Sequence, residues 1–368
     1  MKKNVMFVLG RWGIGGVERV TATMANAFAS NGWKVCVVVF EFVKRDLLSS
    51  IDNRVDIKEL GFPVFRWSIV RRLRNIMRHE QTQYVINQWA SPFHVTIILR
   101  LAMLHGAKGA KIIAFHHTTP DHNARLQAAR GLKKYAIKTV LKMSIRLVYR
   151  LSDAYVLLSQ SLMPAFREFT GLNNTKKLAW LPNPLEAQLN GEVSKEDIIL
   201  YVGRLSQVEK RVDRVLAVWE KLSMALPNWR LEIVGDGPDR TMLQESAKGL
   251  RRLTFCGFQN AFPYYQRSKI LLLTSDFEGF PMVLIEAMSN GCVPVAYGSY
   301  ATVYDIIHRD TGIVVPMPWS LKHFAEKVLQ LAKDNEMWNC MSRHGRMRVM
   351  DFSVENVFKK YVELLGSL

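Results

Sequence analysis

The stretch NVMFVLGRWGIGGVERVTATMANAFASNGWKVCVVVF, residues 4–40, decides the fold. Asn4 to Leu9 is a continuous apolar run and reads as a buried strand. Gly10 to Gly16 reads as a loop, Val17 to Ser30 as a helix that Gly32 ends, and Lys34 to Phe40 as a second apolar strand. Strand, helix and strand in so short a span form a βαβ unit, which demands a parallel sheet covered on both faces.

The same alternation extends outward. Tyr84–Asn87, Lys111–Phe115 and Ala154–Leu158 are further strand-like runs with helical patterns between them. Trp180-Leu181-Pro182-Asn183-Pro184 interrupts it, because two prolines continue neither a helix nor a central strand. It then resumes: strands at Ile198–Val202, Arg230–Val234, Thr254–Cys256, Leu271–Thr274 and Val293–Ala296. Helices are expected at Arg211–Leu226, Arg240–Ala247 and Pro281–Ser289, and from Leu321 onward. The expected fold class is α/β, with two Rossmann-like doubly wound parallel-sheet domains facing a central cleft.

Charge marks the same boundary. The chain of 368 residues carries a net +18, and residues 1–185 hold 28 Lys and Arg against 10 Asp and Glu. The remainder is balanced, so the whole excess lies in the first half, which is expected to meet something anionic. Two segments concentrate it. Arg66 to Arg78 alternates basic and apolar residues, and Lys134, Lys138, Lys142, Arg146 and Arg150 follow at steps of four with Ile137, Leu141, Ile145 and Tyr149 beside them. Either a solvated helix packed on its own domain or a helix lying in a bilayer interface fits this pattern.

Apolar residues make up 49% and charged residues 22%, which excludes a disordered or fibrous chain. The N-terminal apolar run is too short for a signal peptide, and no run long enough to span a bilayer occurs. Cys36, Cys256, Cys292 and Cys340 form no CxxC pair and are expected as buried free thiols in a reducing compartment. A cytoplasmic protein is expected.

Three motifs carry chemistry. Gly13-Ile14-Gly15-Gly16 stands between a strand and a helix, as a tight turn or a substrate-facing loop whose amides cradle an anion. Its spacing is not GxGxxG, so nicotinamide binding is not expected even though Glu41 ends the second strand. Gly203-Arg204-Leu205 with Lys210 follows the first strand of the second half, as a diphosphate site or a plain surface pair. Asp276-Phe277-Glu278-Gly279-Phe280-Pro281-Met282 leads into a helix that carries Glu286. Glu278 is read as closing a strand and Pro281 as the first helical residue, so that a carboxylate stands beside free helix amides.

Glu278-x7-Glu286 with Gly-Phe-Pro after the first glutamate resembles the EX7E signature of glycosyltransferase family 4, retaining enzymes of the GT-B fold. The resemblance extends through most of the chain. It includes Gly15-Gly16-Val17-Glu18, Ser152-Asp153-Ala154 with Ser159, Leu181-Pro182-Asn183-Pro184 and Val202-Gly203-Arg204-Leu205 with Lys210. Val234-Gly235-Asp236-Gly237-Pro238, Phe255-Cys256-Gly257-Phe258 and Gly312-Ile313-Val314-Val315-Pro316 follow in the family's order.

The resemblance implies an acceptor- and membrane-facing domain at 1–183, a nucleotide-sugar domain at 184–345, and a C-terminal helix at 346–368 crossing back to the first. It implies Arg204 and Lys210 on the nucleotide diphosphate, Glu278 on the transferred hexose and Glu286 on the ribose. Amides of Gly279, Phe280 and Met282 would face sugar and phosphate, with Pro281 removing one donor, and Gly15 and Gly16 would form the acceptor or phosphate loop. A histidine near the reacting sugar is implied as well; His116 and His117 both stand in place, and His117 is preferred. No DxD pair occurs, so no metal or other cofactor is expected. The implied activity is retaining transfer of a hexose or N-acetylhexosamine from a nucleotide sugar, UDP-linked, to a glycan acceptor on polyprenyl diphosphate at the inner face of the cytoplasmic membrane. A nucleotide-sugar epimerase of the same fold and a basic nucleic-acid-binding protein are the rival readings, and no nucleic acid is expected as partner. Specificity is expected to depend on loops 87–94, 118–130 and 298–304.

Overall fold

The structure, a computed structural model, describes residues 3–13, 15–43, 46–61, 66–89, 93–119, 129–186 and 194–368. Two of the three specificity loops, 87–94 and 118–130, lie partly outside these residues, as does Ile14. The chain divides into two compact units, Met1–Glu186 with Val354–Leu368, and Ala187–Ser353.

The first unit runs β1 (Asn4–Trp12), α1 (Gly16–Ser30), β2 (Lys34–Phe42), β3 (Val55–Glu59), α2 (Trp67–His79), β4 (Tyr84–Asn87), α3 (Phe93–Gly106), β5 (Lys111–His116), α4 (Gly131–Leu151), β6 (Ala154–Leu157), α5 (Leu162–Thr170) and β7 (Leu178–Trp180). Its seven strands are ordered β3-β2-β1-β4-β5-β6-β7, each pair parallel. Alternation along β1 assigns the two faces. Met6 and Val8 join Leu73 and Met77 of α2 and Ile98 and Leu99 of α3 in one core, while Phe7 meets Phe28 of α1 edge-on at 5.8 Å.

The second unit runs β8 (Glu196–Val202), α6 (Val212–Leu222), β9 (Arg230–Val234), α7 (Arg240–Ser246), β10 (Leu253–Gly257), α8 (Phe262–Arg267), β11 (Ser268–Leu273), α9 (Met282–Ser289), β12 (Val293–Gly298), α10 (Thr302–Ile306), β13 (Ile313–Pro316), α11 (Leu321–Lys333) and α12 (Asn335–Arg348). Its six strands are parallel in the order β10-β9-β8-β11-β12-β13. A 3₁₀ turn, Val349–Phe352, follows α12, and Phe352 packs against Phe280 with ring centroids 5.6 Å apart. The last helix, α13 (Val354–Gly366), belongs to the first unit, where Phe358 and Tyr361 close on Phe28.

Several local expectations are corrected. β1 extends through Gly10 and Arg11 to Trp12, pairing Arg11 with Glu41, so the glycine loop is shorter than read. Gly10 fits a strand because the Trp89 indole lies over it; a Cβ there would come within 2.4 Å of the ring. Glu41 is held by Arg11 at 2.9 Å. α6 starts at Val212 because Arg211 takes a left-handed φ of 50°. β11 stops at Leu273, leaving Glu278 in the following loop, and Pro281 caps α9 rather than opening it. The run from Leu321 is three helices and a 3₁₀ turn. Only Cys36 and Cys292 are buried; Cys340 is exposed.

On α4 the apolar residues for which both a packed and a bilayer-facing role were open turn inward. Ile145 and Tyr149 are buried in the core of the first unit, with Ile137 and Leu141 packed against it. Leu132, Tyr135, Val140 and Met143 are the exposed ones. Among the described residues no helix is long and apolar enough to cross a membrane.

Candidate functional site

Two loops at the carboxyl edge of the second sheet, where ligands of open α/β sheets bind, are fastened to each other. The first, residues 203–211, follows β8. Its backbone is pinned to the loop after β9: Gly203 N donates to the Val234 carbonyl at 3.0 Å, and Leu205 N to that of Asp236 at 3.0 Å. Gly235, at φ 140°, permits this approach, because a Cβ there would fall 1.9 Å from the Gly203 carbonyl oxygen. The buried Tyr201 donates its hydroxyl to the Arg204 carbonyl at 3.1 Å. Arg204 is left exposed, and its guanidinium has no hydrogen-bond or ion-pair partner among the described residues.

The second loop, residues 274–281, joins β11 to α9. Asp276 N donates to the Glu209 carbonyl at 3.0 Å, and Thr274 Oγ1 to that of Arg211 at 2.9 Å. Asp276 also accepts from Arg214 at 2.6 Å and Arg211 at 3.2 Å. Arg214 is 9% exposed, and its guanidinium stacks on Trp319 at 4.6 Å and Tyr297 at 4.9 Å. With the loops so fixed, Lys210 Nζ reaches Glu278 Oε1 at 2.6 Å, and Ser275 Oγ donates to the same oxygen at 2.8 Å. Burial first, and the Glu278 charge second, push the phenols of Tyr201 and Tyr300 up, so both stay protonated around this carboxylate.

Glu286 lies on α9, half-buried, and accepts from the Tyr265 hydroxyl at 3.0 Å. Gly279 is half-buried and Phe280 is buried against Phe352. Met282 opens α9, which has no side-chain cap, so its first amides point out of the helix end.

The remaining candidates belong to the first unit. His116 is buried, with Nδ1 2.9 Å from the Tyr155 hydroxyl and Nε2 3.4 Å from Thr118 Oγ1. Burial lowers its pKa to about 4, so the ring is neutral near pH 7. His117 is half-buried beyond the end of β5, stacked on Phe115 and 2.6 Å from Gln88 Oε1. Burial, then the neighbouring His116, lowers its pKa as well. With both His116 nitrogens engaged by protein groups, His117 is the better placed of the two to meet a ligand. Gly15 caps α1, and the Glu18 carboxylate folds back over it. Gly16 has open space where a side chain would stand.

The structure therefore joins Lys210 to Glu278 and sets Arg204 and Glu286 on the flanking segments, while His116, His117, Gly15 and Gly16 stand in the other unit. Arg211, Arg214, Ser275 and Tyr265 were not singled out from the sequence. Arg214 sits within a helical pattern and betrays its partner only in three dimensions; Asp276 stood in the quoted motif without a role.

Two parallel-sheet units of this topology, with a carboxylate loop preceding a helix in the second, have the architecture of the GT-B fold. The family model "Glycosyl transferases group 1" matches residues 184–348, and "Glycosyltransferase Family 4" matches residues 14–189. The chain belongs to glycosyltransferase family 4 and is a glycosyltransferase. It is 25% identical over 383 residues, covering 99% of each chain, to a Campylobacter jejuni protein named GalNAc-alpha-(1->4)-GalNAc-alpha-(1->3)-diNAcBac-PP-undecaprenol alpha-1,4-N-acetyl-D-galactosaminyltransferase. It is 27% identical over 302 residues, 76% of this chain and 75% of the relative, to the lipopolysaccharide 1,6-galactosyltransferase of Salmonella typhimurium. In fold it matches the crystal structure of Anabaena HepE in complex with UDP and glucose, with a TM-score of 0.78 over all of both chains at 15% identity.

Proposed function

We propose that the protein transfers a hexose or N-acetylhexosamine from a UDP-sugar to a glycan acceptor, with retention at the anomeric carbon, in the assembly of a surface polysaccharide or lipopolysaccharide. The observation that carries this reading is the junction of the two loops, which brings an ammonium and a carboxylate together beside a helix N-terminus. Arg204 and Lys210 neutralise the departing diphosphate together with the first amides of α9, in place of a metal ion. Glu278 accepts hydrogen bonds from the transferred sugar's hydroxyls, and Glu286 from the ribose. No residue is assigned as a covalent nucleophile: the acceptor hydroxyl attacks from the face the diphosphate leaves, and a phosphate oxygen takes its proton. The bond from anomeric carbon to phosphate oxygen breaks as the bond to the acceptor oxygen forms. His117, neutral, is a hydrogen-bond partner for the reacting sugar.

The acceptor is assigned to the basic first unit and to a polyprenyl-diphosphate carrier at the cytoplasmic face of the membrane. Excess positive charge in that half, and the carrier and lipopolysaccharide in the relatives' names, support this.

Thermal unfolding with UDP, GDP, ADP and NAD, on the wild type and on Glu286→Ala, tests the donor. A nucleotide at about 100 times its Kd adds roughly 2.7 kcal/mol to the state that binds it. Stabilisation by UDP alone, lost in the variant, is the expected result; stabilisation by ADP or GDP in place of UDP would overturn the donor assignment.

A further inference from the structure

A cleft of about 640 Å³ opens at the amino edge of the second sheet, within the size range of small-molecule sites. It is built by Lys195, just before β8, and by one side of α12, where Asn339, Ser342, Arg343 and Arg346 recur at helical spacing, with Trp338 as a wall. The length of β8, seven residues or roughly 20 Å, lies between this cleft and the Lys210–Glu278 junction at the carboxyl edge. The cleft is therefore no part of the donor site.

Its lining is cationic and held in place. Lys195 Nζ donates to the carbonyls of Tyr265 and Ser268 at 2.8 and 2.9 Å, which leaves its third N–H without a partner among the described residues. Gly291, at a φ of 68°, makes room for Arg346: a Cβ there would stand 2.6 Å from Arg346 Nη2. Ser342 is buried and donates to the Gly291 carbonyl at 2.8 Å. The Trp338 indole is pinned through Nε1, 2.9 Å from the Lys269 carbonyl. Arg343 is exposed, and its guanidinium has no hydrogen-bond or ion-pair partner among the described residues.

None of the lining residues carries a carboxylate. Glu196 and Asp197, next in the chain, are taken up by Arg230 at 2.5 Å and Lys269 at 2.6 Å. Burial above all, with the Arg346 charge in the same direction, pulls the Lys195 pKa down to about 8, so an anion between them relieves a local conflict. A cation at the carboxyl end of a helix is ordinary, and Lys195 and Arg346 each stand at one, of α8 and α9. That accounts neither for Arg343 nor for three cations converging on one cleft.

We infer that this cleft is a second ligand site, which takes a sugar phosphate: the phosphate among Lys195, Arg343 and Arg346, the sugar ring against Trp338. Two guanidiniums and an ammonium match the charge of a dianion and the geometry of its oxygens, and the exposed Asn339 adds an amide at the rim. The indole supplies the apolar wall that a sugar ring covers. The inference goes beyond the transfer reaction and stands whichever nucleotide carries the donor sugar.

The test is isothermal titration of the full chain with ribose 5-phosphate, inorganic phosphate and ribose at fixed ionic strength. It compares the wild type, the donor-loop variant Arg204→Gln/Lys210→Gln, and two variants of the cleft, Arg343→Glu and Asn339→Asp. Arg343 and Asn339 are exposed, so unchanged thermal unfolding is expected in both cleft variants. Ribose 5-phosphate should bind the wild type and the donor-loop variant within about twofold of each other, and Arg343→Glu at least about tenfold more weakly. Asn339→Asp, which sets a carboxylate at the rim, should weaken it as well, and ribose should not bind. Equal binding by the wild type and both cleft variants would overturn the assignment. Binding lost only in the donor-loop variant would place the phosphate at Arg204 and Lys210 and overturn it too, as would a wild type that binds neither phosphate compound. Inorganic phosphate held as tightly as ribose 5-phosphate would overturn the place of the sugar on Trp338.

Discussion

The ammonium of Lys210 lies 2.6 Å from the carboxylate of Glu278, although 67 residues separate them in the chain. Neither position is held by its own secondary structure: both stand on loops, and the Arg214–Asp276 pair beneath them keeps the loops in register. On the proposed reading a cation for the leaving group and an acceptor for the sugar are thus presented as one unit, so loss of either side chain should be felt at the other.

Glu278→Gln keeps the shape and removes the charge. Turnover with the sugar nucleotide is expected to fall about 10²–10³-fold, while UDP affinity changes by less than tenfold. Isothermal titration with UDP beside initial rates separates the two effects; a parallel loss of UDP binding would place Glu278 on the nucleotide instead.

Arg214 touches no proposed substrate position and acts through Asp276. Arg214→Leu leaves that carboxylate short of its closest partner and is expected to destabilise the second unit by about 2–3 kcal/mol. In a domain of this size the melting temperature should drop by several degrees. Arg214→Lys restores the charge but not the planar stack on Trp319 and Tyr297, so it should recover only part of the loss.

Gly235→Ala places a Cβ 1.9 Å from the Gly203 carbonyl oxygen at a φ of 140°. The loop bearing Arg204 has to move, so UDP affinity should fall more than tenfold even though the substituted residue bears no functional group. Unchanged affinity by titration would show that the loop's position does not matter to the nucleotide.

His116 is held near a pKa of about 4 in the fold, against about 6.5 when exposed. Below pH 6.5 the unfolded chain therefore takes up a proton that the folded one refuses. Stability is full above that pH and declines as pH falls toward 4, by about 3 kcal/mol in total. Urea unfolding at pH 7 and pH 4.5 should show the decline, and His116→Gln should shrink it.

On the proposed mechanism, in which cationic side chains and helix amides take the place of a metal ion at the diphosphate, turnover is expected to survive excess EDTA. Activity that EDTA abolishes and magnesium or manganese restores would return the diphosphate to a metal.

The strands that escaped the sequence have a common character. β3, β7 and β13 are all edge strands, with residues half-exposed along their length, whereas the interior strands are nearly continuous buried runs. β3 (Val-Asp-Ile-Lys-Glu) offers no apolar run to read, whereas β7 (Leu-Ala-Trp) and β13 (Ile-Val-Val-Pro) are apolar but only three and four residues long; the remaining edge strand, β10, was read. The end of β1 was misread for a related reason, since Gly10 signals a turn locally and is explained only by the Trp89 ring above it.

By itself the sequence determined the parallel α/β architecture, the break between the two halves, the concentration of positive charge in the first and the glutamates and basic residues of the second. Those follow from periodicity, composition and spacing, which are properties of neighbours along the chain. Only the tertiary structure decided that Lys210 meets Glu278, that Arg214 and Asp276 hold both loops, that His116 is sealed in by Tyr155 and Thr118, and which side of α4 is left uncovered. Each of these depends on which distant segment packs against a residue, and a helix with two apolar faces reveals which one is buried only once its sheet is in place.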